Sequence, residues 1–154
     1  MVAMILNGLM LLVFIAGAAG PSGFELNRPF DEFGDIKCED EMARLDNFTL
    51  QLQNDPSARA AIVFFAGKMA ADKLPKRGEA EARVERIRLY LTKRRGIPAA
   101  RIVVMNGGFD SNFRVQLWAV PSDAGLPKPE ASSAVKDMQY RKGKLVPRDY
   151  RCGI

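Results

Sequence analysis

Few side chains in this chain of 154 residues could carry covalent chemistry, since it contains two cysteines and no histidine. Without histidine, a Ser-His-Asp triad, a Cys-His pair and a zinc site that uses imidazole are all excluded. Two cysteines also cannot supply the four thiolates of a structural zinc site. We therefore expect a non-enzymatic protein that uses no metal and no other cofactor.

Acidic residues cluster in one short stretch: Asp31, Glu32, Asp35, Glu39 and Asp40. The stretch lacks the central glycine and the final glutamate of a calcium-binding loop. Paired carboxylates could also serve a hydrolase, but nothing in the sequence raises the pKa of one of them. We expect these acids to be ordinary residues of a strand end and a helix start.

The N-terminal segment is apolar, and its first charged side chain is Glu25. The apolar run over residues 9–16, followed by small residues, predicts a secretory signal peptide over residues 1–20. The run is short for a bilayer span of about 20 residues, and no Lys or Arg precedes it. An uncleaved N-terminal anchor and an N-terminal core helix are the alternatives. We expect export to the periplasm or cell envelope of a bacterium.

The two cysteines, Cys38 and Cys152, lie near opposite ends of the mature chain. In an oxidising compartment such a pair is a candidate disulfide. A loop of that length could stabilise the fold by up to about 5 kcal/mol through loop-closure entropy. If the protein is instead cytosolic, the two cysteines are unrelated thiols.

The net charge is modestly basic: 23 Lys and Arg stand against 18 Asp and Glu, which gives +5. This balance is compatible with nucleic acid, an acidic membrane surface or an anionic polymer, and it requires none of them. Binding of nucleic acid by the basic C-terminal tail would need a cytosolic location. We therefore expect no nucleic-acid partner.

Apolar periodicity predicts four strands and two helices in the order βαβαββ. The predicted elements are a strand in residues 30–36, an amphipathic helix that opens at residues 39–41 and ends before turn residues 54–55, a buried strand at 61–65, a helix from about 75 to 95, a strand at 102–105, a turn at 107–112 and a strand at 113–120. The helical crossovers imply parallel strands, and a final hairpin adds an antiparallel one. The expected fold is α/β, with two helices packed on a mixed four-stranded sheet.

The same pattern divides the chain into four parts. Residues 1–20 are the signal peptide or anchor, and residues 21–29 are a linker with Pro and Gly. Residues 30–121 form the predicted domain. Residues 122–154 form a Pro-containing linker and a basic C-terminal tail.

Five segments of the domain occur in a characteristic order: FDEFGDI, ARLDNFTLQLQNDP, AIVFFAG, RGEAEARVERIRLYLTKRRGIPAARI and FRVQLWAVP. In these segments, residues 30–121 resemble the OmpA-like C-terminal domain, a periplasmic module whose usual role is to hold peptidoglycan. The resemblance implies a βαβαββ sandwich, a place in the envelope or outer membrane, and a peptidoglycan ligand.

In that family an Arg on the second helix and an Asp in the preceding loop hold the diaminopimelate of a stem peptide. Matched through Tyr90 and Leu91, the family Arg falls on Arg83. Arg83 borders the apolar face of the predicted helix, where a guanidinium can bind a carboxylate through two hydrogen bonds. The alternative is a surface Arg83 that pairs with Glu79 one turn earlier.

The family Asp does not carry over, because Lys68 stands at its position. An ammonium repels the ligand's ammonium, and Asp72 could replace the Asp only if the loop is rearranged. A basic neighbourhood remains, made of Lys68, Lys73, Lys76, Arg77 and Arg83. It could hold a carboxylate or phosphate at the helix N-terminus, or it could be a solvated basic face.

These observations predict a non-catalytic, exported envelope module whose partner is peptidoglycan or another envelope component. Stem peptides are the leading ligand, bound through Arg83 and the basic loop. The alternative is a degenerate copy of the fold that serves as a structural or protein–protein interaction subunit without binding peptidoglycan. In that case the disulfide-tethered tail would cover or extend the sheet.

Overall fold

The computed structural model describes residues 28–131, 137–146, 150 and 152. In this part of the chain two α-helices pack on a mixed four-stranded sheet, which is the predicted fold class. The predicted signal peptide, residues 1–20, and most of the predicted linker lie outside the described residues. No helix within the described ranges combines the length and the apolar character needed to cross a membrane.

The elements follow the predicted order along the chain. They are β1 (Asp31–Phe33), α1 (Cys38–Asn54), β2 (Arg59–Lys68), α2 (Glu79–Leu89), β3 (Ile102–Asn112) and β4 (Arg114–Val120). Three short helical turns join them, over Ala70–Asp72, Tyr90–Arg94 and Ala99–Arg101.

The sheet has the strand order β1-β4-β2-β3, with β2 parallel to β3 and β4 antiparallel to both β1 and β2. The predicted hairpin of the last two strands is therefore wrong, since β4 crosses over to lie between β1 and β2. The central strand β2 is buried from Ala60 to Gly67, as its continuous apolar run predicts. The N-terminal half of this strand pairs in regular register with both neighbours, Ala60 lying opposite Ile102 of β3 and Ala119 of β4.

Helix α1 forms where the apolar spacing predicts it. Its residues Leu45, Phe48 and Leu52 are fully buried against the sheet and the second helix. The first turn of α1 contains the acids Glu39, Asp40 and Glu41. Their negative charges interact favourably with the positive end of the helix dipole.

Two predicted boundaries are wrong for local reasons. Helix α2 begins at Glu79 rather than near residue 75, because Gly78 before it has a left-handed backbone (φ 80°) that a helix cannot contain. Strand β3 runs through residues 107–112, where a turn was predicted. Its pairing with β2 continues across two register shifts, to the pair Lys68 and Asn112.

A buried ion pair joins the two helices. Arg86 Nε of α2 donates to Glu41 Oε1 of α1 at 2.8 Å, and Arg86 Nη2 donates to Glu41 Oε2. Both side chains are buried. Burial raises the pKa of the Glu41 carboxyl, while the bonds from Arg86 oppose that shift. The pair therefore sets the position of α2 on α1 at an electrostatic cost.

Candidate functional site

The candidate site is built around Arg83, which lies in the second turn of α2. Its side chain is only 13% exposed, and its Nη1 lies 2.7 Å from Asp35 Oδ1. Glu79, one turn earlier on α2, is a more distant partner at 3.9 Å from Nη2. The guanidinium also lies over the Phe113 ring, with Cζ 5.7 Å from the ring centroid. Arg83 is thus neutralised by acids of its own chain.

Asp35 is the acid that the structure adds to the site. It follows β1, and its two carboxylate oxygens serve two different elements. Oδ1 pairs with Arg83, while Oδ2 accepts a hydrogen bond of 2.9 Å from the backbone N–H of Ala70, in the loop after β2. This carboxylate therefore occupies the guanidinium that the family resemblance assigns to an external carboxylate.

The C-terminal tail also contacts this guanidinium. The Tyr150 ring lies 5.6 Å from Arg83 Cζ and is nine-tenths buried. Burial raises the pKa of the Tyr150 phenol, and the neighbouring Glu79 carboxylate raises it further. Two positions later, Cys152 forms a disulfide with Cys38 at the start of α1, with a Cα–Cα distance of 5.5 Å. The disulfide thus fixes the end of the tail beside Arg83.

We call the described tail residues 137–146, 150 and 152 the C-terminal strap. Arg141 anchors the middle of the strap: its backbone N–H donates to Pro75 O at 3.0 Å, and its Nε donates to Leu74 O at 2.9 Å. The Arg141 Nη2 atom reaches Glu79 Oε2 at 3.2 Å. These contacts fasten the middle of the strap to the loop that leads into α2.

Glu79 is buried where the strap, the loop and α2 meet. Its Oε2 also accepts a hydrogen bond of 2.7 Å from the backbone N–H of Lys76, which satisfies a donor at the start of the helix. A negative charge at this end of α2 suits the helix dipole. One carboxylate therefore serves the helix start, the strap through Arg141 and, at longer range, Arg83.

The predicted basic neighbourhood separates into two groups. Lys76 and Arg77 are held by the strap, since Lys76 Nζ donates to Lys144 O at 2.9 Å and Arg77 Cζ lies 4.7 Å from the Tyr140 ring centroid. Lys68 and Lys73 are exposed, and Lys68 forms an ion pair with Asp72 at 3.6 Å. The five predicted residues therefore do not converge on one open surface.

A cleft of about 320 Å³ opens beside Asp35. Its walls include Lys68, Asp72, Asn112 and the Phe113 ring, and Arg83 is not among the residues that line it. Ala71 and Asp72 at its edge both have a left-handed backbone (φ 55°), which is uncommon for residues other than glycine. The cleft presents mixed charges rather than a continuous basic surface.

Sequence reasoning missed Asp35 and the strap as parts of this site. On sequence alone, Asp35 is expected to be one of the ordinary acids near the first strand. Its signal is its position just after a strand that starts the domain, in FDEFGDI. The strap gave only weak signals, the basic residues and the second cysteine, and neither identifies Arg83 as the residue that it covers.

Comparisons of the chain with protein-family models, with curated proteins and with solved structures found no match.

Proposed function

We propose that this chain is a non-catalytic module of the bacterial cell envelope, with an OmpA-like fold, that serves as a structural or protein–protein interaction subunit. In this proposal the chain does not hold peptidoglycan while its disulfide is formed. The observation that carries it is the internal pairing of Arg83 with Asp35, under the ring of Tyr150. A guanidinium that is already neutralised and 13% exposed offers little to an external carboxylate.

The charges around Arg83 support the same proposal. Lys68 stands where the resemblance expects an acid, so the site lacks an acceptor for a ligand ammonium at that position. Asp72, the acid that could replace it, is 84% exposed and pairs with Lys68. The ammonium of a zwitterionic ligand would therefore meet Lys68 instead of an acid, and its carboxylate would meet a guanidinium that is already paired with Asp35.

The disulfide supports the proposed location. A bond between Cys38 and Cys152 persists in an oxidising compartment such as the periplasm, and it would be reduced in most cytosols. Fractionation of cells that express the whole chain, with alkylation of free thiols before lysis, tests this. We expect the protein in the envelope fraction with both cysteines protected. Alkylation of both cysteines in the soluble cytosolic fraction would contradict the location.

Binding of stem peptides is the second candidate function. One observation favours it: a cleft of about 320 Å³ lies directly beside Asp35, the partner of Arg83. A ligand carboxylate would have to displace Asp35 from the guanidinium to use the family's contact.

Co-sedimentation with purified sacculi separates the two functions. The experiment compares the oxidised wild type with Arg83→Ala and with Arg88→Ala, since Arg88 lies on the same helix but pairs with Glu85 in an exposed position. We expect equally low sedimentation of all three proteins. Binding by the wild type and Arg88→Ala that is lost in Arg83→Ala would overturn the proposal and establish the stem-peptide function.

A further inference from the structure

The disulfide and the Arg83 site are neighbours in space through two residues of one short segment. Tyr150 covers the guanidinium, and Cys152, two positions later, is bonded to Cys38 at the start of α1. Because Cys38 belongs to a helix that packs in the core, the bond holds the end of the strap against a rigid support.

The described part of the strap is held in its middle and at its end by contacts of different kinds. In its middle, Arg141 is held by bonds of 3.0 and 2.9 Å to backbone atoms and by Glu79, and none of these contacts depends on the cysteines. At its end, Tyr150 is held by its packing over Arg83 and beside Glu79, and by the disulfide. Loss of the disulfide therefore releases the end of the strap before its middle.

The disulfide favours the contact of Tyr150 with Arg83 because it raises the effective concentration of the ring near the guanidinium. A covalent link two positions away keeps the ring near Arg83 and makes its docking intramolecular over a very short tether. Once the link is broken, the nearest preceding anchor among the described strap residues is Lys144, six positions earlier in the chain, whose carbonyl oxygen accepts a hydrogen bond of 2.9 Å from Lys76 Nζ. Docking of the ring on Arg83 then costs more conformational entropy, because a longer segment of chain must be ordered for the same contact.

We infer that the C-terminal strap is a redox-controlled cover, and that reduction of the Cys38–Cys152 disulfide exposes the guanidinium of Arg83. The reductant is a dithiol. One of its thiolates attacks a sulfur of the bridge, the S–S bond breaks and a mixed disulfide forms; the second thiol then closes a disulfide within the reductant. The dithiol is oxidised by two electrons, and its two protons end on Cys38 and Cys152.

In the opened form the Arg83 guanidinium would lose the Tyr150 ring but keep its ion pair with Asp35, so an anionic group such as a carboxylate would have to share the guanidinium with that acid or displace it. This part rests on the proposed function, in which the oxidised chain does not bind peptidoglycan. The cover itself can be tested without any envelope component, so the two proposals can fail separately.

The test measures how fast each arginine reacts with phenylglyoxal, a dicarbonyl that modifies accessible guanidinium groups, by mass spectrometry of peptides. The whole chain is compared in its oxidised form, after reduction with dithiothreitol and capping of the thiols with iodoacetamide, and as the double variant Cys38→Ser/Cys152→Ser. Two arginines of the same helix are internal controls. Arg86 is 5% exposed and bonded to Glu41, while Arg88 is 36% exposed.

We expect Arg83 to react about tenfold faster or more in the reduced protein and in the serine variant, because it no longer depends on rare local opening. Arg86 should stay protected and Arg88 should stay reactive in every form. An unchanged rate at Arg83 would overturn the inference. A rate that rises at Arg86 as well would also overturn it, because the disulfide would then hold the whole domain together.

A second variant separates the ring from the bond. Tyr150→Ala keeps the disulfide but removes the ring from Arg83, so it should also raise the reactivity of Arg83 while Arg86 stays protected. If this variant reacts like the oxidised wild type, Tyr150 is not the cover and the inference fails.

Discussion

Arg83 Nη1 and Asp35 Oδ1 lie 2.7 Å apart, and this ion pair connects α2 to the loop after β1. Both side chains are less than one-fifth exposed, so water screens the pair only weakly. A second acid also interacts with this guanidinium, since Glu79 Oε1 lies 3.9 Å from Arg83 Nη2. The pair has the features of a structural contact between elements that are distant in sequence.

The first prediction concerns the stability that this pair contributes. Asp35→Asn keeps the size of the side chain but removes its charge, which leaves a mostly buried guanidinium with only the weaker Glu79 contact. We expect the free energy of unfolding to fall by about 1–3 kcal/mol, the usual range when a buried polar partner is lost. Urea unfolding at neutral pH, followed by far-UV circular dichroism, measures the loss.

The matched control is Glu85→Gln, the same kind of change in the exposed pair with Arg88 on the same helix. An exposed pair one turn apart contributes only about 0.5 kcal/mol or less. Equal losses in the two variants would show that the Arg83–Asp35 contact contributes no more than a surface pair.

The second prediction concerns the buried pair of Glu41 and Arg86. Glu41→Gln alone leaves a buried guanidinium without its counter-charge, and we expect it to lower the free energy of unfolding by about 3–5 kcal/mol. The double variant Glu41→Gln/Arg86→Met removes both charges and should lose less than the single variant. Thermal and urea unfolding of the wild type, the double variant and both single variants, Glu41→Gln and Arg86→Met, gives the coupling energy.

A double variant that is less stable by the sum of two independent losses would contradict this expectation. In that case the Glu41 and Arg86 side chains would contribute independently to the free energy of unfolding, and the ion pair between them would add nothing.

Local patterns predicted the helices and the central strand because those elements are specified by residues close in sequence. The apolar spacing that ends at Leu52 can only be buried by a helix, and the run around Val63 suits a strand covered on both sides. These signals do not depend on which elements become neighbours. The predictions of α1 and of the central strand β2 are therefore confirmed by the structure.

The errors arose where distant contacts override local preference. Gly107 begins a stretch of turn-forming residues, but its lack of a side chain leaves room for the Phe65 ring of β2, and the strand continues. The position of β4 between β1 and β2 is likewise set by tertiary contacts, because the strands have similar apolar patterns. Periodicity contains no information about either contact.

The candidate site shows the same limit more sharply. The resemblance leads only to Arg83 as a candidate, and the structure places its largely buried side chain on α2. Its partners Asp35 and Tyr150 lie far from it in sequence, on either side of it. Only the folded chain brings an acid after β1 and a ring before the last cysteine to one guanidinium.

The third prediction concerns the close approach of β2 and β3. A Cβ atom added at Gly67 would overlap the backbone of Asn112, which cannot move as a flexible side chain can. We expect Gly67→Ala to lower the free energy of unfolding by about 3 kcal/mol, at the upper end of the range for overpacking. Differential scanning calorimetry should show a correspondingly lower Tm.

Gly125→Ala is the control for this change, since a Cβ atom at Gly125 would meet no other atom within 4 Å. It should leave the Tm almost unchanged. If Gly67→Ala is as stable as Gly125→Ala, the strands can separate at that point and the close approach is not a requirement of the fold.

The last prediction concerns pH and rests on Asp46 of α1. Its Oδ1 accepts hydrogen bonds from the Tyr90 hydroxyl at 2.7 Å and from Arg95 Nε at 2.6 Å. Partial burial raises the pKa of Asp46, but these bonds outweigh it, so the net pKa lies below the ordinary value of 3.8. A carboxyl with a lowered pKa stabilises the fold while it is ionised, and this contribution is lost on protonation.

We therefore expect Asp46→Asn to be less stable than the wild type at neutral pH, by an amount that stays constant down to about pH 4, the pKa of an unfolded aspartate. Below that pH the difference should shrink and vanish once Asp46 is protonated in the folded state, because the wild type then also lacks the charge. Urea unfolding of both proteins across this range measures it. A difference between Asp46→Asn and the wild type that is as large in acid as at neutral pH would mean that the bonds from Tyr90 and Arg95 do not depend on the Asp46 charge.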